Sequence, residues 1–260
     1  MSSKQDDLEE TNTEARFEFK KEEKSAFQTE KGLTEETVRV ISEDKDEPEW
    51  MLERRLRALE QFQEMPMPTD WPGQPDLSEV DINEIVPYIR PDIDKRGGAD
   101  SWEDLPEEIQ DTFDKLGIPE AEKNALSGVG AQYESEVVYQ NMQERWEEKG
   151  VVFCNMDEAV QEHEELVREH FMTKCVPPSD NKFAALHGAV WSGGSFVYVP
   201  EDVTVEMPVQ AYFRMNSEGM GQFEHTLIIA EEGSEVHYIE GCSAPKYSKF
   251  NLHCGGVEVF

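Results

Sequence analysis

Basic side chains are scarce in this chain: 24 Lys and Arg stand against 57 Asp and Glu in 260 residues, a formal net charge of −33. A surface that negative repels phosphate backbones and anionic lipid, which sets aside nucleic-acid and membrane-surface binding. Long apolar runs are also absent. Mean hydropathy is −0.68, and a stretch such as Leu227-Ile228-Ile229-Ala230 is far too short to span a bilayer. The N-terminal MSSKQDDLEE has neither a basic n-region nor an apolar h-region, so no secretory signal is read and the cytoplasm is the expected location. The four cysteines, Cys154, Cys175, Cys242 and Cys254, include no C-x-x-C pair. Reduced thiols are therefore expected, not a disulfide framework or a structural zinc site. No G-x-x-x-x-G-K-[ST], H-E-x-x-H, G-x-S-x-G or strand-following G-x-G-x-x-G occurs. That removes P-loop ATP binding and the commonest hydrolase and dinucleotide readings.

The acid that is present is spread along the chain. Residues 1–50 hold 16 acidic and 8 basic side chains, 51–150 hold 24 and 10, and 151–260 hold 17 and 6. This is not an acidic tail. Aromatic residues at 10% and hydrophobic residues at 37% argue for a folded protein beyond the first 45 or so positions. Acid over a whole folded surface suits a high-salt cytoplasm, where screening suppresses self-repulsion, and a halophilic origin is the expectation.

Three regions are expected: a polar, mobile arm over 1–45, a mostly helical region over 46–190, and a strand-rich region over 191–260. Pro48 opens a helix whose Trp50, Met51, Leu52, Leu56, Leu59 and Phe62 recur at helical spacing. A proline-rich connector over 64–100 precedes a second helix, in which Asp104 and Pro106 lead Ile109, Phe113 and Leu116 to a C-cap at Gly117. The spacing of Val137, Val138, Met142 and Trp146 predicts a third helix over about 134–149, and a short strand follows at Val151–Phe153. Asn155 or Asp157 caps a fourth helix running through Val160, Leu166, Val167 and Phe171. From about 194 onward strands are expected at 195–199, 203–216, 222–230, 235–240 and 256–260, separated by Gly- and Pro-containing turns. In the longest, Val205, Met207, Val209, Ala211 and Phe213 alternate with Gln210, Tyr212, Arg214 and Asn216, and Pro208 marks a bend or bulge. Such strands fit a sandwich, a barrel or a β-solenoid, and GGVEVF reads as mid-strand, as though the chain ends inside a domain.

Gly193-Gly194 is too short for a phosphate cradle and reads as strand entry. Cys242, in Ile239-Glu-Gly-Cys-Ser-Ala-Pro245, sits at a strand end entering a turn. It is either an accessible nucleophilic thiol or a small hydrophobe filling a corner. Cys154 and Cys175 read as structural. His253-Cys254, with Cys242 and His237, could form a Cys/His metal cluster, though the spacing is not diagnostic. Glu162, Glu164, Glu165 and Glu169 with His163 and His170 read as a solvated helix face before a metal site. Arg214 and Asn216, on the polar face of the long strand, read as an outward ion-pairing face or as functional groups.

Four blocks resemble a known family: SEDKDEPEWMLERRL from Ser42, NALSGVGAQYESEVVYQNM, VPPSDNKFAALHGAVWSGGSFVYVP, and MGQFEHTLIIAEEGSEVHYIEGCSAP. They resemble SufB of the SufB/SufD family, the scaffold of the SUF iron–sulfur cluster assembly machinery, over roughly residues 30–260. The resemblance implies an α+β fold: an N-terminal helical region followed by a right-handed parallel β-helix, truncated here. It implies a longer protein whose remaining half docks a SufC-type ATPase and supplies further ligands of the nascent cluster, among them a second cysteine and a glutamate. The implied function is that of a scaffold without its own ATPase, pairing with SufD or a second SufB. Cys242 would accept persulfide sulfur from a cysteine desulfurase through a SufE- or SufU-type carrier. Arg214 and Asn216 would line an internal sulfur path, and a reduced flavin is a further implied cofactor. A SufD-like structural subunit and a β-solenoid carbohydrate-active enzyme are the alternatives. The chain departs from the family at Leu252-His253-Cys254-Gly255, where Leu-His-Ala-Ala is common, and at His225, where Arg is common. Cys254 is then a second sulfur stop or a small filler.

Overall fold

The computed structural model describes residues 25–68, 80–92, 102–116, 126–247 and 250–260, with Phe19, Leu77 and Ala99. Most of the expected arm, residues 1–18 and 20–24, and the C-cap expected at Gly117 lie outside the described residues. The later part of the arm carries regular structure. Strand β1 (Ser25–Gln28) pairs antiparallel with β2 (Ile89–Pro91). Helix α1 (Glu35–Asp44) starts where the Thr34 hydroxyl accepts the Thr37 N–H, and it buries Val38 and Ile41.

Helix α2 (Glu49–Glu64) follows Pro48 as the apolar stripe predicts, burying Trp50, Met51, Ala58 and Leu59. Helix α3 (Glu107–Leu116) buries Ile109 and Phe113. The expected third helix is instead a hairpin, β3 (Gly128–Tyr133) with β4 (Glu136–Met142), followed by a single turn α4 (Glu144–Glu147). Glu134 takes the left-handed conformation (φ 56°) at the reversal. Val138 and Tyr139 of β4 pack in the α3 cluster, whereas Met142 belongs to the cluster containing Val197 and Val209. A strand buried on both faces lacks clean alternation, and that imitates helical spacing. Strand β5 (Val152–Asn155) leads into α5 (Met156–Glu162), capped by Asn155, and α6 (Glu164–His170) follows a break at His163.

Helix α7 (Lys182–Val190) is capped by Asn181 and buried from Ala184 to Val190. It packs on α2 closely: a Cβ added at Gly188 would lie 3.0 Å from the Ala58 Cβ. The remaining strands are β6 (Ser195–Val199), β7 (Val209–Arg214), β8 (Gly221–Gln222), β9 (His225–Ala230), β10 (Tyr238–Ser243), β11 (Leu252–His253) and β12 (Gly256–Val259).

The expected right-handed parallel β-helix is not what these strands build. They form separate mixed sheets, ordered β10-β7-β3-β4 and β12-β9-β6-β5, with β11-β8 and β1-β2 as two-stranded pairs. Strands after residue 194 do pair in parallel, β10 on β7 and β12 on β9 on β6. The other neighbours come from earlier in the chain: β3 joins β7, β4 pairs antiparallel with β3, and β5 pairs antiparallel with β6. The antiparallel edges end each parallel row after three strands, so neither sheet closes into a solenoid. The α+β class stands.

The two four-stranded sheets share a core of Phe153, Val197, Val199, Val209 and Ile228. Helix α3 covers the far face of one sheet and α5 with α6 the far face of the other. At the opposite edges, β10 and β12 have no outer neighbour among the described residues, and Ile239, Val257 and Val259 are exposed there. Among the described residues no helix is long and apolar enough to cross a membrane.

Candidate functional site

The sheet register places the Cys242 side chain. Tyr238, Glu240 and Cys242 pair with Val209, Ala211 and Phe213, so they share the face that looks into the space between the sheets. The contacts agree. Tyr238 Oη donates to Ser195 Oγ at 3.0 Å, and Thr226 Oγ1 donates to a Glu240 carboxylate oxygen at 3.2 Å. Cys242 is exposed, because β10 is the outermost strand and this space opens beside it. His253 of β11 reaches the same mouth. Its ring is hydrogen-bonded through Nε2 to Glu224 Oε1. Burial alone would lower the His253 pKa, but the neighbouring Cys242 and Glu224 side chains raise it to about 10.

Arg214 and Asn216 are both buried, at 0% and 1% exposure, so neither forms an outward ion-pairing face. Arg214 pairs in register with Ser243 and therefore lies on the other face of the sheet from Cys242; its Nη1 donates to Ser243 Oγ at 3.3 Å. Its Nη2 donates to the Phe19 carbonyl at 2.6 Å. The Asn216 and Ser217 groups meet Glu134, whose carboxylate accepts the Asn216 N–H at 3.1 Å and the Ser217 hydroxyl at 2.7 Å. Gln132 and Gln222 extend this buried polar network to the Glu134 carbonyl.

The other thiols differ in setting. Cys154 is buried and its pKa is pushed well up by desolvation. Cys175 is exposed, with Sγ 3.7 Å from the Val259 carbonyl oxygen. Cys254 packs against the cluster of α1, α2 and α7, and burial pushes its thiol up to about 12. His253 and Cys254 thus turn to different surroundings. Among the described residues no group of three or more His, Cys, Asp and Glu is arranged to hold a metal ion. On the fourth predicted helix, His163 stacks on Phe196 at 5.4 Å and His170 meets Phe260 at 4.7 Å, so both pack against aromatic rings.

Residues 106–211 match the family described as the SufBD protein N-terminal region, and residues 213–260 match the SufBD core domain of the SUF system for FeS cluster assembly. The chain belongs to the SufBD family. An iron–sulfur cluster assembly SufBD family protein of Staphylococcus saprophyticus is 56% identical over 241 residues, covering 93% of this chain and 50% of the relative. Its counterpart in Staphylococcus epidermidis is 56% identical over 244 residues, covering 94% and 51%. The chain therefore spans about half the length of the curated relatives it matches.

This SufBD-family chain holds a second cluster, wholly buried, that sequence reasoning missed except for noting His225. His187 Nδ1 faces the Cys254 carbonyl at 2.9 Å, His187 Nε2 faces His225 Nδ1 at 2.9 Å, and His225 Nε2 faces Glu258 Oε2 at 3.1 Å. A carbonyl only accepts, so His187 donates through Nδ1. Burial and His225 lower its pKa to about 3, leaving Nε2 an acceptor and His225 Nδ1 the donor. Glu258 also accepts the N–H groups of Met172 at 2.6 Å and Val176 at 3.0 Å, and its pKa is held below the usual value although burial alone would raise it. These partners place a proton on His225 Nδ1 and one proton between His225 Nε2 and the Glu258 carboxylate.

The neutral His187 carries a pH signature. Its folded-state pKa lies below its ordinary value of 6.5, so as pH falls from there toward about 3 the unfolded chain takes up a proton the folded chain refuses. Stability on this account drops by about 1.4 kcal/mol per pH unit through that window. Urea unfolding at pH 6.5 and 4.5 should show a loss about 2–3 kcal/mol larger in the wild type than in His187→Gln. Equal slopes would count against a buried neutral His187.

Proposed function

We propose that this SufBD-family chain is the sulfur-accepting part of a scaffold for iron–sulfur cluster assembly, with Cys242 as the entry point. The observation that carries the reading is the contrast among thiols. Cys242 is exposed on an outer strand, whereas Cys154 is buried and Cys254 half-buried, each with its thiol pKa raised by burial. Persulfide transfer requires an accessible, nucleophilic sulfur. Arg214, bonded to the hydroxyl of the residue next to Cys242, and Asn216 supply polar groups for the inward passage of sulfur. The cluster is the cargo, and its remaining ligands belong to the longer protein. The chain lacks a P-loop, which supports an ATPase partner of SufC type, with SufD or a second SufB completing the scaffold. A cysteine desulfurase, acting through a SufE- or SufU-type carrier, is the proposed donor.

The test is peptide mass spectrometry on the full-length protein after incubation with a cysteine desulfurase and cysteine. Sulfur is expected on the Cys242 peptide in the wild type and nowhere in this region in Cys242→Ala. Sulfur on Cys254, or on no residue of this region, would reject Cys242 as the acceptor and favour a SufD-like structural subunit.

A further inference from the structure

The β3–β4 hairpin reverses through Glu134 and Ser135, since Tyr133 pairs with Glu136. Glu134 holds a positive φ of 56°, a conformation that Gly and, less often, Asn adopt at low cost. The residue is also only 3% exposed, so a charged carboxylate has been taken out of water at a strained position. Both features persist only where the surroundings hold them. Those surroundings are the end of β7. The Glu134 N–H donates to the Arg214 carbonyl at 2.9 Å, extending the pairing of Tyr133 with Arg214. Its Oε2 accepts the Asn216 N–H at 3.1 Å and its Oε1 the Ser217 hydroxyl at 2.7 Å. The Glu134 carbonyl accepts the Gln132 and Gln222 amides at 3.1 and 2.6 Å, and Gln222 also reaches the Arg214 carbonyl at 3.3 Å. Strand β7 ends at Arg214, so Asn216 lies past the ladder and Glu134 accepts its N–H there.

We infer that Glu134 is the positioning residue for Arg214 and Asn216, holding the segment from which both side chains project. The inference rests on the sulfur-accepting reading above and adds the group that fixes its two polar residues in place. Side chains two apart share a face only while the backbone between them stays extended. The ladder secures that geometry as far as Arg214, and the Glu134 carboxylate carries it on to Asn216 and Ser217. The charge is fitting as well. Burial lowers the Arg214 pKa, while Tyr247, Tyr133 and Glu134 act the other way and favour the charged guanidinium. The step served is the departure of sulfur from Cys242. A thiol R–SH of the longer protein attacks the terminal sulfur of Cys242–S–SH, forming a new S–S bond as the old one breaks. The electron pair of the broken bond stays on Cys242 Sγ, which takes up the proton of R–SH. Thus R–SH and Cys242–S–SH give R–S–SH and Cys242–SH, with no outside oxidant or reductant. Glu134 contributes placement to this step and exchanges no proton in it.

The test uses the full-length protein and three variants. Glu134→Gln keeps an acceptor for the Asn216 N–H and a partner for the Ser217 hydroxyl. Glu134→Asn suits the positive φ, so it folds without the strain, but its side chain is one methylene short. Glu134→Ala removes the group. After incubation with a cysteine desulfurase and cysteine, peptide mass spectrometry reads sulfur on Cys242 and on cysteines of the remaining half. In Glu134→Asn and Glu134→Ala, sulfur should reach Cys242 as in the wild type but pass onward about tenfold more slowly or worse, since a misplacement of about 1 Å costs up to about 100-fold. Glu134→Gln should pass sulfur within about threefold of wild type, a rescue by shape. Added to Arg214→Ala with Asn216→Ala, Glu134→Asn should slow passage no further, because a positioning residue acts through the groups it places. Hydrogen exchange of the Asn216 amide should quicken in Glu134→Asn and Glu134→Ala and stay slow in Glu134→Gln. Normal onward passage in the Asn and Ala variants, an Asn216 amide protected in both, or a further loss on the Arg214 and Asn216 double variant would each overturn the inference. Failure of the wild type to load Cys242, with Asn216 exchange still released by Glu134→Asn, would reject the sulfur-accepting reading and retain the positioning role.

Discussion

Arg55→Ala is expected to lower the free energy of unfolding by about 3–5 kcal/mol, roughly two to four orders of magnitude in the folding equilibrium. The Arg55 guanidinium is fully buried at the junction of α2 and α7. Its Nε and Nη2 donate to Glu47 at 2.7 and 2.6 Å, Nη1 to the Ala189 carbonyl at 3.2 Å and Nη2 to the Trp191 carbonyl at 3.0 Å. The group also lies over the Trp191 ring, 4.7 Å from its centre. The last carbonyls of a helix have no partner within it, and Arg55 supplies one for the end of α7. Alanine would strand the Glu47 carboxylate, 3% exposed, together with those carbonyls. The loss arises from abandoned partners, so replacing Glu47 as well by an apolar residue should recover part of it. Urea midpoints at fixed pH and salt would measure both variants. A loss below about 1 kcal/mol would put the pair with exposed ion pairs and refute its role as a buried clamp.

Elements with one wet face were legible in the sequence. Helix α2 announced itself through Pro48 and an apolar stripe against charge, and strand β6 was located to the residue. Helix α7 was not, because KFAALHGAV is buried nearly all round and offers no periodic contrast, leaving its Asn181 cap as the one local signal. The β3–β4 hairpin was misread for the related reason that both faces of β4 are covered. The β-helix expectation failed at a different level. Local pattern does mark the parallel strands after residue 194, but it cannot say that β7 and β6 find their other neighbours in β3 and β5. Those pairings are set by tertiary packing.

The site divides in the same way. Cys242 stood in a block long enough to quote, Arg214 and Asn216 stood on the polar face of the longest expected strand, and His253 was noted beside Cys254. Glu224 was missed because one carboxylate among 57 acidic residues carries no compositional signal. Its neighbours did carry one: Glu224 interrupts an otherwise weakly charged run from Met220 to Ala230, where an acid must find a buried partner. Glu258 interrupts GGVEVF in the same manner.

Glu258→Ala is expected to cost about 3–5 kcal/mol, because it strands the buried His225 ring and removes the acceptor from two backbone donors. His225 is fully buried against the Phe171 ring, 4.3 Å between centres, and water cannot replace the lost carboxylate there without opening the core. The same residue ties Met172 and Val176, after α6, to β12, so its loss loosens the covering of that sheet edge. Two comparisons separate charge from packing. His225→Leu added to Glu258→Ala should recover part of the loss, since no unpartnered ring nitrogen then remains, giving a coupling energy of about 0.5–3 kcal/mol. Acid should narrow the gap between wild type and Glu258→Ala. The folded-state pKa of Glu258 is lowered, so its contribution is present above the ordinary value of 4.5 and fades as pH falls through the lower folded value. Unfolding in urea at pH 7 and pH 4 would read both effects. A gap independent of pH, with no coupling to His225, would mean that Glu258 acts only through the Met172 and Val176 amides.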